Sequence, residues 1–318
     1  MHPMLNTESS VAAGTAVRVE RILCPVDFSE CSAIAYRHAQ SIAGRFRATL
    51  IVQYVIELDQ HPTLFYTVSP EIEEFRKTLV SNGKKDLQHF VTTAGGIQPE
   101  CIVQDAFGSV ADVILSLARE RTISLIVLGT HGRRGIDRML LGSVTERVLR
   151  YASCPVLAIR PSAPDSGKRD ANDDAVEIRR ILCCIDFSAS SKEAAEYALS
   201  LAQAYDAEVT LLHVLEDTSG SSDIADETAS TLAKLEKLLP PGVGDSSRVH
   251  LAVRLGKPYQ EILQLASETP FDLIVAGMRG RHTLDRAVFG STTWRVIQLS
   301  PCPALAVPCG QDLNKAFV

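Results

Sequence analysis

With 318 residues the chain exceeds one ordinary core and suits two domains of about 150 residues each. Its 46% hydrophobic and 22% charged content is that of a folded globular protein. The formal charge of −6 leaves no basic excess and argues against a dedicated nucleic-acid binder, and no apolar run approaches the roughly 20 residues of a membrane-spanning helix.

In chain order, "MHPMLNTESSVAAGTAV" lacks both the basic start and the apolar centre of a secretion signal, so residues 1–18 read as a loose tail. Strands are then expected near 20–27, 49–56, 100–106, 123–129 and 155–160. Helices are expected near 30–44, 70–93, 109–121 and 143–152. Runs such as "TLIV" and "LIVL" are apolar without alternation, as in strands covered on both faces. Strand–helix alternation with short connections predicts a doubly wound parallel sheet. The charged segment "EIEEFRKTLVSNGKKDLQHF" reads as a solvated amphipathic helix.

The stretch "PSAPDSGKRDANDD" opens a polar linker, 161–176, after which the pattern begins again. "RILCPVDFSE" from Arg21 returns as "RILCCIDFSA" from Arg180, 159 positions on; "CPVLAI" from Cys154 returns as "CPALAV" from Cys302, 148 positions on. The difference of 11 places extra residues in the middle of the first half, around "DQHPTLFYTVSPEI". The expected units are therefore 19–160 and 177–309, with 310–318 as a tail. Eight cysteines stand without a CxxC pair or zinc-like spacing, several within apolar runs, so they read as small buried hydrophobes in a reducing cytoplasm.

The end of the fourth strand carries the most informative motif. "GTHGRRGIDRMLLGS", Gly129 to Ser143, reappears as "GMRGRHTLDRAVFGS", Gly277 to Ser291. The three glycines, the serine and an Arg, Asp, Arg set are shared. In a doubly wound sheet, ligands bind beyond the carboxyl ends of the strands where strand order reverses. Asp27 at the end of strand 1 and Gly129 at the end of strand 4 both belong there.

Gly129 and Gly132 suit a concave run of main-chain amides, through freedom to take φ > 0 and through the missing Cβ. Gly142-Ser143 opens a helix whose first amides and dipole favour an anion. Arg133 and Arg138, matched by Arg281 and Arg286, add positive charge. A ligand-free reading of the same residues is a capping box, Ser143 to Glu146, although Trp294 replaces the glutamate in the second copy. Asp27 and Asp186 read either as ligand contacts or as caps of the following helix. Asp137 and Asp285 are expected to pair locally with Arg138 and Arg286. The sequence has neither the Lys-Ser/Thr of a P-loop nor a GxGxxG after strand 1.

Gly-x2-Gly-x9-Gly-Ser, Asp-Phe-Ser after strand 1 and a terminal Cys-Pro strand together resemble the universal stress protein family, one domain per half. The resemblance implies a Rossmann-like α/β fold in two tandem five-stranded sheets, paired through their last strands as an intramolecular pseudo-dimer; a further homodimer stays open. It also implies an adenine-nucleotide site for ATP, ADP or AMP, with Mg near Asp27 or Asp186. By the same resemblance, Pro25, Tyr54 and Val55 meet adenine, and Asp27 meets the ribose or a metal ion. Gly129, Gly132, Gly142, Ser143 and Thr145 hold the phosphates, flanked by Leu128, His131, Arg133 and Val144. The second half offers Asp186, His213, Val214, Ala276, Gly277, Arg279, Gly280, Arg281, Gly290, Ser291, Thr292 and Thr293. It departs from the first where Cys184 replaces Pro25, Met278-Arg279 replaces Thr130-His131, and Thr292 replaces Val144. The function so implied is a non-catalytic, nucleotide-dependent stress-response or signalling module without a catalytic residue. Slow ATP hydrolysis or nucleotidyl transfer at Asp27, with Arg133 or His131 stabilising charge, is one alternative; a ligand-independent scaffold is another.

Overall fold

The computed structural model describes residues 18–58, 70–132, 141–160, 176–216, 224–241, 247–279 and 290–310. The first half runs β1 (Arg21–Val26), α1 (Glu30–Phe46), β2 (Thr49–Glu57), α2 (Pro70–Ala94), β3 (Glu100–Ala106), α3 (Val110–Glu120), β4 (Leu125–Gly129), α4 (Ser143–Tyr151) and β5 (Val156–Ile159). The second runs β6 (Arg180–Cys184), α5 (Ala189–Tyr205), β7 (Glu208–Leu215), α6 (Ile224–Glu236), β8 (Val249–Leu255), α7 (Pro258–Glu268), β9 (Leu273–Gly277), α8 (Ser291–Leu299) and β10 (Ala304–Val307).

Local chemistry explains the helix boundaries. Ser29 caps α1 by accepting from the Ser32 amide, and Ser188 caps α5 through Ser191. Both helices end on a left-handed residue, Arg47 at φ 53° and Asp206 at φ 58°. At α4 the capping box of the ligand-free reading does not form. Ser143 lies inside the helix, Gly142 is the N-cap without a side-chain bond, and Glu146 pairs with Arg150 at 2.9 Å instead. One residue of displacement puts the serine hydroxyl out of reach of the position that a box requires.

The strands form one ten-stranded sheet ordered β3-β2-β1-β4-β5-β10-β9-β6-β7-β8. Within each half the neighbours are parallel; β5 and β10 join the halves antiparallel, with Leu157 opposite Leu305. Strand order reverses between β1 and β4, and between β6 and β9. Because the halves run in opposite senses, the carboxyl ends of their strands lie at opposite edges of the sheet.

One apolar cluster crosses the seam, joining Ile22, Tyr36, Val127 and Leu157 to Ile181, Ala198, Val275 and Leu305 on the face covered by α1, α2, α5 and α6. On the other face a second cluster, under α3 and α4, also crosses the seam to Met278, Ile297 of α8, Ala304 and Ala306, and a third lies under α7 and α8. Burying these β-branched and leucine side chains stabilises by about 1.5–3 kcal/mol each. Cys24, Cys31, Cys154 and Cys183 are buried among them, whereas Cys101 is exposed; all eight cysteines are free thiols. Burial pushes the Cys154 thiol up to about 12.

Candidate functional site

At the reversal point of the first half, β1 ends opposite Tyr54 while β2 continues along β3 as far as Glu57. From Val55 onward β2 therefore has no strand on its β1 side, and a crevice opens. The second half repeats this, with β6 ending opposite Leu212 and β7 continuing to Leu215. Pro25 is half-buried at this position, and Cys184, which replaces it, is pushed up to about 12 mainly by burial.

A feature unread in the sequence shapes both crevices. Phe28 and Phe187 follow the aspartates in the left-handed region, at φ 64° and φ 60°. A bulky side chain there costs on the order of 1–3 kcal/mol. Ring packing holds it: Phe28 lies 4.5 Å from the Tyr54 ring, and Phe187 lies 4.8 Å from His213. The turn brings Asp27 Oδ1 back to accept from the Ser29 amide at 3.1 Å and the Ser29 hydroxyl at 2.6 Å. Asp186 accepts from Ser188 in the same way, at 3.0 and 2.5 Å. Each aspartate thus supports the capping serine rather than capping the helix itself. The signal was present as Asp-Phe-Ser written twice, but residue type alone does not announce a positive φ at phenylalanine.

The glycines act differently from the expectation. Neither Gly129 nor Gly132 has a positive φ; among the described glycines that property belongs to Gly95, Gly96, Gly108 and Gly256. Their role is close approach. A Cβ on Gly129 would stand 2.7 Å from Cys31 Sγ, and one on Gly277 would stand 2.5 Å from Ser190 Oγ and 2.7 Å from the Ser191 amide. The first turn of α1 or α5 thus packs directly on the end of β4 or β9. A Cβ on Gly132 would stand 2.7 Å from Asp27 Oδ2, so the loop backbone lies against the carboxylate.

Two ties return the chain to the helix start. The Gly142 amide donates to Thr130 O at 2.9 Å, and the Gly290 amide donates to Met278 O at the same distance. Thr145 and Thr293 donate their hydroxyls to Gly129 O and Gly277 O, at 2.8 and 2.7 Å. Those protons are committed to the strand end, as are the Gly142 and Gly290 amides. What an anion meets at α4 and α8 is accordingly the next amides, of Ser143, Val144 and Thr145 and of Ser291, Thr292 and Thr293. A helix leaves these without intrahelical acceptors. Among the helices whose N-caps are described, α1, α3 and α5 are serine-capped, α7 begins on Lys257 before Pro258 with no side-chain cap, and α4 and α8 begin on glycine with no side-chain cap.

His131 Nδ1 and Thr130 Oγ1 share a hydrogen bond of 2.9 Å at the crevice lip. Leu128 and Ala276 are buried as the last apolar residues before the glycines. Val55 and Val214 are nearly buried, and His213 Nδ1 donates to Ile185 O at 2.6 Å. Arg133, Arg138, Gly280, Arg281, Arg286, Asp137 and Asp285 lie outside the described residues, as does most of "DQHPTLFYTVSPEI".

The model of the universal stress protein family matches residues 18–160 and again 177–308. A universal stress protein of Mycolicibacterium smegmatis is 26% identical over 306 residues, spanning 90% of this chain and 96% of its own length. One from Methanocaldococcus jannaschii is 32% identical over 141 residues, spanning 44% of this chain and 82% of its own. The crystal structure of a universal stress protein from Archaeoglobus fulgidus superposes with a TM-score of 0.61 at 23% identity, covering 92% of this chain and all of that one. No helix among the described residues is long and apolar enough to cross a membrane.

Proposed function

The chain belongs to the universal stress protein family, and from that premise we propose that its two crevices bind adenine nucleotides and report nucleotide state to other components without consuming it. The observation that carries this reading is the pair of glycine-capped helix starts, α4 and α8, each tied to a strand end beside an aspartate. Uncapped first-turn amides with the positive end of a helix dipole suit a phosphate. Gly132, lying against Asp27, brings that anion site beside a carboxylate suited to a ribose hydroxyl or a nucleotide-bound Mg. The base enters past the end of β1, between Pro25 and Val55. The second crevice offers the same backbone with Cys184 in place of proline.

The test is thermal unfolding with and without ATP. A ligand at a hundred times its dissociation constant stabilises by about 2.7 kcal/mol. The wild-type chain is expected to gain that protection, and Gly142→Trp, which fills the mouth of the first crevice, to lose part of it. Equal melting with and without ATP for the wild type would overturn the reading.

A further inference from the structure

The residues behind the two crevices differ in one chemically decisive place. We infer that Ser190 and Cys31, matched at the second position of α5 and α1, set different release rates for the two nucleotides, slow in the second half and fast in the first. This rests on the reading that the crevices bind nucleotides.

In the second half, Arg279 is the residue immediately before the glycine that matches Gly132. Both of its main-chain polar groups are held by the first turn of α5. Ser190 Oγ donates to Arg279 O at 2.5 Å and accepts from the Arg279 amide at 3.4 Å. Ser188 Oγ approaches the same carbonyl at 3.2 Å. Packing is tighter too: a Cβ on Gly277 would stand 2.8 Å from the Ser190 carbonyl carbon, against 3.1 Å between Gly129 and Cys31. The strand exit is clamped to the helix by hydroxyl bonds.

In the first half, Cys31 occupies the place of Ser190, and its proton goes elsewhere. The thiol donates to Ile159 O of β5 at 3.3 Å. Towards the loop it presents only sulfur, as an acceptor for the His131 amide and for the Thr130 amide and hydroxyl. Sulfur is a weak donor and a weak acceptor, so the lip of the first crevice is held less firmly than that of the second. A nucleotide with its phosphates at the α4 or α8 start sits beside this strand exit, which the Gly142 and Gly290 amides tie to the helix, and exchanging the hydroxyl clamp for a thiol loosens that exit and speeds release. Ser190 and Cys31 are positioning residues: they act through the loop.

The chain's single tryptophan makes the halves distinguishable, because Trp294 lies in the first turns of α8. Energy transfer from Trp294 to a ribose-labelled fluorescent ATP identifies the second-half nucleotide, and total probe fluorescence follows both. Chasing bound probe with excess ATP is expected to give two phases, with the energy-transfer signal in the slow one. Ser190→Cys should accelerate that phase about five-fold, the loss of one ordinary hydrogen bond, and Ser190→Ala should do so without added bulk. Cys31→Ser should slow the fast phase and leave the energy-transfer phase in place. Ser190→Cys and Cys31→Ser each install the residue the fold already holds at the matching position. Release rates unmoved by Ser190→Ala and by Cys31→Ser would overturn this inference while leaving nucleotide binding intact. Absence of probe binding by the wild-type chain would overturn the functional reading as well.

Discussion

Gly132 and Asp27 touch across the mouth of the first crevice so closely that a side chain on the glycine would begin 2.7 Å from the carboxylate oxygen. The carboxylate is flexible enough to move aside, so Gly132→Ala is expected to fold normally. On the proposed reading, the displaced Asp27 then no longer meets the ribose or its metal. ATP binding in the first half should weaken by about ten-fold, comparable to losing a hydrogen bond to a charged group. Titration calorimetry checks this, and unchanged first-half affinity would remove Asp27 from the site.

Gly277→Ala should destabilise more than Gly129→Ala. The new methyl at 277 meets backbone, the Ser191 amide at 2.7 Å and the Ser190 carbonyl carbon at 2.8 Å. At 129 the nearest atom is the Cys31 sulfur, a side-chain atom, with backbone no closer than 3.1 Å. Overpacking against backbone costs about 1–3 kcal/mol, and the 129 variant should lie at the lower end. Urea midpoints of the two variants settle their order.

Thr145→Val and Thr293→Val keep shape but remove the hydroxyl that satisfies Gly129 O and Gly277 O. Both threonines are buried, so each carbonyl is left without that donor at a cost of about 1–3 kcal/mol. Denaturant unfolding measures the loss. A neutral result would mean that the strand ends are satisfied in another way.

Asp105 on β3 accepts from Arg76 on α2, and this bond holds its carboxyl below the ordinary value of 3.8. A carboxyl whose folded value is depressed binds its proton less readily folded than unfolded. Its stabilisation is therefore complete above pH 3.8 and is lost as pH falls through the lower folded value. Asp105→Asn should be less stable than wild type at pH 7, and the two should converge in strong acid. Urea midpoints between pH 7 and pH 2 test the convergence.

Much of the architecture was legible because it rests on patterns the chain repeats. Apolar runs such as "LIVL" and the duplicated "RILC" stretches place the strands to within a few residues, and the reversal point beside Asp27 follows from their parallel order. The purpose of the glycines was not legible. A glycine kept for backbone freedom and one kept for close packing look identical until the neighbour, here Cys31 or Ser190, is brought against it. Nor was the strained Phe28, since the rings that hold it come from β2 and α2, far along the chain. The joining of the halves through their last strands was expected from the family resemblance; what the sequence did not display is the antiparallel register that sets Leu157 opposite Leu305, 148 positions away.

That antiparallel junction has a consequence for anything that reads the molecule. With the two halves pointing opposite ways, one crevice faces away from the other, and no small partner can sit over both. Whatever passes between them must cross the seam, through the four-residue strands β5 and β10 and through α1 and α5, whose Phe46 and Tyr205 rings meet 6.3 Å apart, which makes this junction the place where the halves either share information or stay deaf to one another.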